Sequence, residues 1–135
     1  MIQVTSAALT AALGRCLKVA PHDSPMPVLI YVLVEQDEDG EVYLTATDLE
    51  VSLTTWCEGA TTEGAFKPFL APLRMLAELV RNAGDEVLEL KPINSNRLSV
   101  IGPTWSYELN CEQVANYPKV PLVLEEALEC FPDDI

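Results

Sequence analysis

Apolar positions recur along this chain in two rhythms, and the order of the rhythms is used twice. After a strand-like opening at residues 2–4, Leu9, Ala12, Leu13, Cys16 and Ala20 follow helical spacing, which predicts a helix over about 6–18. Thr5 or Ser6 is placed to cap it. Pro21, Pro25 and Pro27 stop that helix and lead into 28–35, rich in β-branched and aromatic residues, which reads as a strand. Turn chemistry at 37–40 separates it from 42–47 and 51–57, which alternate apolar and polar residues around Asp48, Leu49 and Glu50. The same order then returns. A strand at 65–70 is followed by Pro72, suited to a first helical turn, and by the stripe Leu73, Leu76, Ala77 and Val80. Residues 82–85 carry a glycine fit for a left-handed cap, and strands are expected at 86–91, 97–101 and 105–111, with turn-forming residues at 92–96 and 102–104. In the last of these strands Trp105, Tyr107, Leu109 and Cys111 alternate with Ser106, Glu108 and Asn110.

A strand–helix–three-strand unit repeated inside one small domain has a single apolar face per copy, and the two faces must cover each other. The fold expected is therefore α+β: a duplicated βαβββ unit with two helices packed on antiparallel sheets. At 135 residues, 49% of them hydrophobic, the chain has material for one real core. That core is assigned to residues 1–119, and 120–135 to an acidic C-terminal tail or the truncated start of a following domain. No signal-like segment and no apolar run of membrane-spanning length is present, so a cytoplasmic protein without a membrane partner is expected. Cys16, Cys57, Cys111 and Cys130 lie far apart without the close pairs of zinc sites; they read as free thiols, and no metal or cofactor is expected.

Charge complicates the picture. Eight Lys and Arg against 21 Asp and Glu leave a net charge of −13, which argues against a nucleic-acid partner. Distribution points the other way, since Arg15, Lys18, Arg74 and Arg81 sit on the two helices, each pair spaced to share the face opposite the apolar stripe. Helix surfaces are also simply where such residues reside, and Glu78, between Arg74 and Arg81, pairs with either. Most acidic residues fall instead in turns, strands and the tail. Catalysis is not indicated: one histidine, no glycine-rich phosphate loop, no Cys/His cluster and no nucleophile with a base at recognisable spacing. Asp48 and Glu50 lie in a hairpin turn, where their structural role comes first.

Four segments, "SPMPVLIYVLVE", "LTATDLEVSL", "APLRMLAELVRNAGDE" and "SYELNCEQVANYPKV", resemble in order and spacing the first domain of the bacterial DNA polymerase III β subunit, the sliding clamp. The resemblance covers roughly residues 1–119, and its most specific elements are the hairpin Thr47, Asp48, Leu49, Glu50 and the ending Tyr117, Pro118. It implies a DNA polymerase processivity factor domain, six of which close a ring around duplex DNA with helices lining the hole. Arg15, Lys18, Arg74 and Arg81 would then face phosphates without reading bases, which is what sliding requires. It further implies that Tyr107 and Leu109 lie at a subunit interface, in a homo-oligomer or a ring with other clamp domains; core packing explains the same alternation. DNA polymerase and clamp loader are the partners the family suggests.

The chain also departs from that pattern. Family members carry three such domains per chain, and the loop that resembles a DNA-facing one reads Pro21, His22, Asp23, Ser24, Pro25, where His22 contributes only if protonated. In the tail, "EALECF" faintly resembles the short peptide by which partners bind clamps, with Leu128 and Phe131 as anchors and Glu126 and Cys130 as mismatches. The alternative reading is a clamp-fold protein-interaction module that binds replication proteins without encircling DNA.

Overall fold

A computed structural model describes residues 1–21, 26–84, 86–94 and 96–118. The first half consists of strand β1 (Ile2–Thr5), helix α1 (Ser6–Leu17), a single 3-10 turn (Pro27–Ile30), and strands β2 (Tyr31–Gln36), β3 (Val42–Thr47) and β4 (Ser52–Trp56). A two-residue strand β5 (Thr61–Thr62) leads to the second half, which runs β6 (Phe69–Pro72), α2 (Leu73–Arg81), β7 (Val87–Asn94), β8 (Arg97–Ile101) and β9 (Ser106–Asn110). The duplicated βαβββ order is therefore present, with the helices on antiparallel sheets.

The two halves exchange their first strands. One sheet has the order β5-β1-β7-β8-β9 and the other β4-β3-β2-β6, so β1 belongs to the second half's sheet and β6 to the first half's. Ile2 pairs with Leu90 and Thr5 with Val87, while Tyr31 pairs with Pro72 and Val34 with Phe69, all antiparallel. Beyond β9 an isolated bridge between Leu70 and Glu112 brings the sheets edge to edge.

Local chemistry explains the boundaries. The Thr5 hydroxyl accepts the Ala8 amide at 3.2 Å and caps α1, and the Ser6 hydroxyl donates to the Gly84 carbonyl, tying the start of α1 to the loop after α2. Pro72 closes β6 as the N-cap of α2 rather than entering the first turn, because its fixed φ of −67° comes with an extended ψ of 112°. The proline-rich entry folds into the 3-10 turn before the strand begins at Tyr31. Strand β7 runs through Pro92, where turn chemistry predicts a break; β1 ends opposite Leu90, so β7 there has a neighbour on one side only, and the register shifts between Pro92 and Asn94.

Leu9, Ala12, Leu13 and Cys16 of α1 and Leu73, Leu76 and Val80 of α2 pack on the inner faces of both sheets in one core. The helices also pack on each other. A second, smaller cluster lies on the outer face of the β2–β6 pair, where Val28, Leu29, Leu70 and Tyr117 meet. Tyr117 is thereby the residue that seals this face, and its phenol is buried with no well-aligned partner among the described residues. Burial pushes that phenol from 10.0 to about 12; the nearby Cys16 adds to the rise, and the Thr47 backbone opposes it weakly. The two most specific elements of the sequence pattern, the hairpin after Thr47 and the Tyr117 ending, therefore meet in space.

That hairpin holds a strained residue. Leu49 has a φ of 81°, in the left-handed region that costs a branched side chain about 1–2 kcal/mol. The Asp48 carboxylate holds the turn, accepting the Glu50 and Val51 amides at 2.9 and 2.7 Å, and these bonds lower its pKa.

Both the strained turn and the buried acids can be tested. Leu49→Gly removes the strain and should raise stability by about 0.5–1 kcal/mol in urea unfolding, since glycine's extra chain entropy offsets only part of the relief. Burial also raises Cys16 from 9.0 to about 12 and Cys57 from 9.0 to about 11. These groups and Tyr117 stay protonated in the fold while the unfolded chain loses protons, so their stabilisation is complete below pH 9 and is lost as pH rises toward 12. The thermal midpoint should fall across that window, and Tyr117→Phe, which keeps the ring, should change it little at pH 7 and soften the alkaline fall.

Candidate nucleic-acid interface

The residues that carry positive charge on the helices are placed there by the burial of the opposite stripe. With Leu9, Leu13 and Cys16 turned inward, Arg15 and Lys18 are left on the surface of α1; with Leu73, Leu76 and Val80 inward, Arg81 is exposed on α2 and Arg74 half-buried. The two helices pack against each other, so the four cations lie on or at the ends of neighbouring elements. Their surroundings differ.

Arg15 is committed to a neighbouring strand. Its Nε donates to the Thr55 hydroxyl at 2.6 Å and its Nη2 to the Trp56 carbonyl at 3.3 Å, tethering the end of α1 to β4. Helical spacing contains no trace of a partner on another element, so this role is not legible in the sequence. Arg81 lies 3.9 Å from Glu78, the acidic residue expected to blunt the face, and both side chains are largely exposed. Such a pair contributes at most about 1 kcal/mol and is readily exchanged. Lys18 and Arg74 have no hydrogen-bond or ion-pair partner among the described residues. Arg15 and Arg81 also occupy the last turns of their helices, where a cation complements the carbonyl ends whatever else it does.

Acidic residues at the strand connections are engaged in turns. The Asp37 carboxylate accepts the Asp39 and Glu41 amides at 2.9 Å, much as Asp48 does in the next hairpin, and Glu41 accepts the Trp56 indole N–H at 2.9 Å. Among the described residues no group of three or more His, Cys, Asp or Glu is gathered to hold a metal ion. No described helix is long and apolar enough to cross a membrane.

The two residues assigned to an interface separate. Tyr107 is half exposed on the open edge strand β9, its ring 5.5 Å from that of Trp105. Leu109, two positions on, is 3% exposed and packs in the main core beside its cross-strand partner Leu98. The alternation that marked both therefore combines a surface residue with a core residue. At the other margin of the molecule β4 is also an edge strand, with Trp56 and Val51 exposed. His22 and the tail residues Glu126, Leu128, Cys130 and Phe131 lie outside the described residues.

With this geometry in place the comparisons with known proteins agree with one another. A sliding clamp of Bartonella birtlesii, solved bound to griselimycin, is 25% identical with a TM-score of 0.75 over 88% of this chain and 31% of its own. The DNA polymerase III β subunit of Pseudomonas aeruginosa is 24% identical with a TM-score of 0.75, covering 89% of this chain and 32% of that one. The corresponding Caulobacter crescentus protein is 23% identical with a TM-score of 0.79, covering 90% and 32%. This chain thus spans about a third of the length of these clamps. No curated protein matches significantly. Residues 1–121 match the family described as "DNA polymerase III beta subunit, N-terminal domain", and the chain belongs to that family.

Proposed function

We propose that this domain is a segment of a sliding-clamp ring that holds a replicative polymerase on duplex DNA, a processivity role without catalysis of its own. The observation that carries the reading is the helix pair: within a chain of net charge −13, four of eight basic residues, Arg15, Arg74, Arg81 and the C-cap Lys18, sit on or at the end of the two helices of a fold that belongs to the β-subunit family. Lys18 and Arg74 are the free contacts for phosphate, Arg81 joins them by exchanging Glu78 for DNA, and Arg15 serves the helix–strand tether first. Long side chains on a rigid layer give backbone attraction without base readout. The acidic turns discourage DNA from settling elsewhere. Such a domain acts in the cytoplasm, with polymerase and clamp loader as partners.

Ring closure is supported by β4 and β9, which end their sheets among the described residues and so offer backbone groups to a neighbouring domain. Residues 1–119 supply the domain, and 120–135 are an acidic tail or the start of a further domain. The second reading, an interaction module that does not encircle DNA, is favoured by the acidic total and by the partners of Arg15 and Arg81.

Duplex DNA binding decides between them. The first reading expects weak, sequence-independent binding whose log affinity falls linearly with log salt, at a slope of about −0.9 per phosphate contacted. Arg74→Ala and Lys18→Ala should each reduce that slope by about one per bound copy, with Arg97→Ala on the sheet leaving it unchanged. Absence of duplex binding at low salt and high protein concentration transfers the function to the interaction module.

Assembly is tested at β9. The chain should self-associate with rising concentration, and Tyr107→Asp should return it to monomer with an unchanged thermal midpoint. Leu109→Asp should instead unfold it, at a cost of at least the roughly 2–5 kcal/mol lost on truncating a buried leucine. A strictly monomeric wild type in sedimentation at high concentration rules out a homo-oligomeric ring.

A further inference from the structure

A cleft of about 620 Å³ opens between the loop before β6, the end of β7 and the segment after β9, a size typical of a ligand or peptide site. Its floor is fixed by the fold. Phe69 is buried in the main core, the Phe66 ring lies against it with centroids 5.7 Å apart, and the Phe66 amide donates to the Gln36 side-chain carbonyl at 3.2 Å. Pro68 and Pro92 stiffen two of its sides, and Val114 adds an exposed apolar contact on the third.

Charge at this cleft is the reverse of the chain's. Lys67 and Lys91 both stand at it, both are exposed, and neither has an ion-pair partner among the described residues. No Asp or Glu is among its described lining residues. In a chain with 21 acidic and 8 basic residues, two such cations beside an apolar floor complement a ligand that is both anionic and apolar. They belong to neither helix, so the cleft shares no residue with the helix cations. We propose that this cleft docks a segment of a partner protein in which Leu or Phe alternates with Asp or Glu, the apolar side chains resting on Phe66 and Val114 and the carboxylates beside Lys67 and Lys91.

The two kinds of contact have different tasks. Exposed ion pairs are individually weak and screened by salt, so apolar burial holds the segment while the lysines select its charge. Asn94 lines the cleft as well, and a side-chain amide offers both a donor and an acceptor to a peptide backbone. A floor already held by Phe69 and Gln36 needs little ordering on binding, which lowers the cost of docking.

Fluorescence anisotropy with the full chain at low salt tests this, using a labelled Glu-Leu-Glu-Phe-Glu peptide as the probe. Binding should saturate and be at least tenfold tighter than that of Glu-Ser-Glu-Ser-Glu or Lys-Leu-Lys-Phe-Lys. Lys67→Glu combined with Lys91→Glu should weaken it at least tenfold and transfer the preference to Lys-Leu-Lys-Phe-Lys, whereas Lys67→Arg with Lys91→Arg should keep it within about twofold. Lys18→Ala and Arg74→Ala should leave it unchanged. Both cleft lysines are exposed, so an unchanged thermal midpoint certifies the fold of their variants. Absence of saturable binding overturns the proposal, as does binding indifferent to the lysine reversals; equal binding of the serine peptide also overturns it, by reducing the cleft to a site for any anion.

Discussion

The exchange of first strands between the two halves is the constraint on which the rest of the structure depends. Because β1 pairs with β7 and β6 with β2, neither half has a complete sheet by itself, and the helices that follow β1 and β6 are delivered side by side over the seam. One shared core results, rather than two small ones pressed together. Each helix is anchored at its start by a strand belonging to the opposite sheet, which fixes its direction and so fixes which residues remain on the surface. The positions of Arg15, Lys18, Arg74 and Arg81 are a product of strand pairing before they are a product of charge.

Much of this is legible in the chain. Both helices, the Thr5 cap, the three-strand meanders and the duplicated order arise from periodicity and turn chemistry, which are local properties. The features hidden from a sequence reading depend on residues distant along the chain. The pairing partners of β1 and β6 carry no local mark, and Thr61–Thr62 is too short to be distinguished from loop. The alternation of β9 shows which residues share a face and not how far the core extends along it, hence the different fates of Tyr107 and Leu109. Pro92 stops a strand in most settings; here the strand continues because its pairing with β1 reaches only as far as Leu90.

The candidate interface illustrates the same division. Position on a helix is enough to identify four surface cations, yet their availability is decided by tertiary neighbours: Thr55 and Trp56 for Arg15, Glu78 for Arg81. The acidic excess, which by itself argues against DNA, is partly absorbed in holding turns, as at Asp37 and Asp48. Charge in this protein is segregated by structural task, cations on helix surfaces and at one cleft, carboxylates at strand connections.

Strand exchange also governs the order in which the molecule can form. Synthesised from the N-terminus, β1 precedes the rest of the domain but finds its principal partner only once Val87–Asn94 has been made. Until then only the two-residue strand β5 is available to pair with it, and α1 can cover only a partial core. Contacts of such long sequence separation slow folding and lengthen the exposure of sticky strands to other chains. The domain's first strand is thus among the last to find its place, and completion of the second half is the event that commits this domain to its fold.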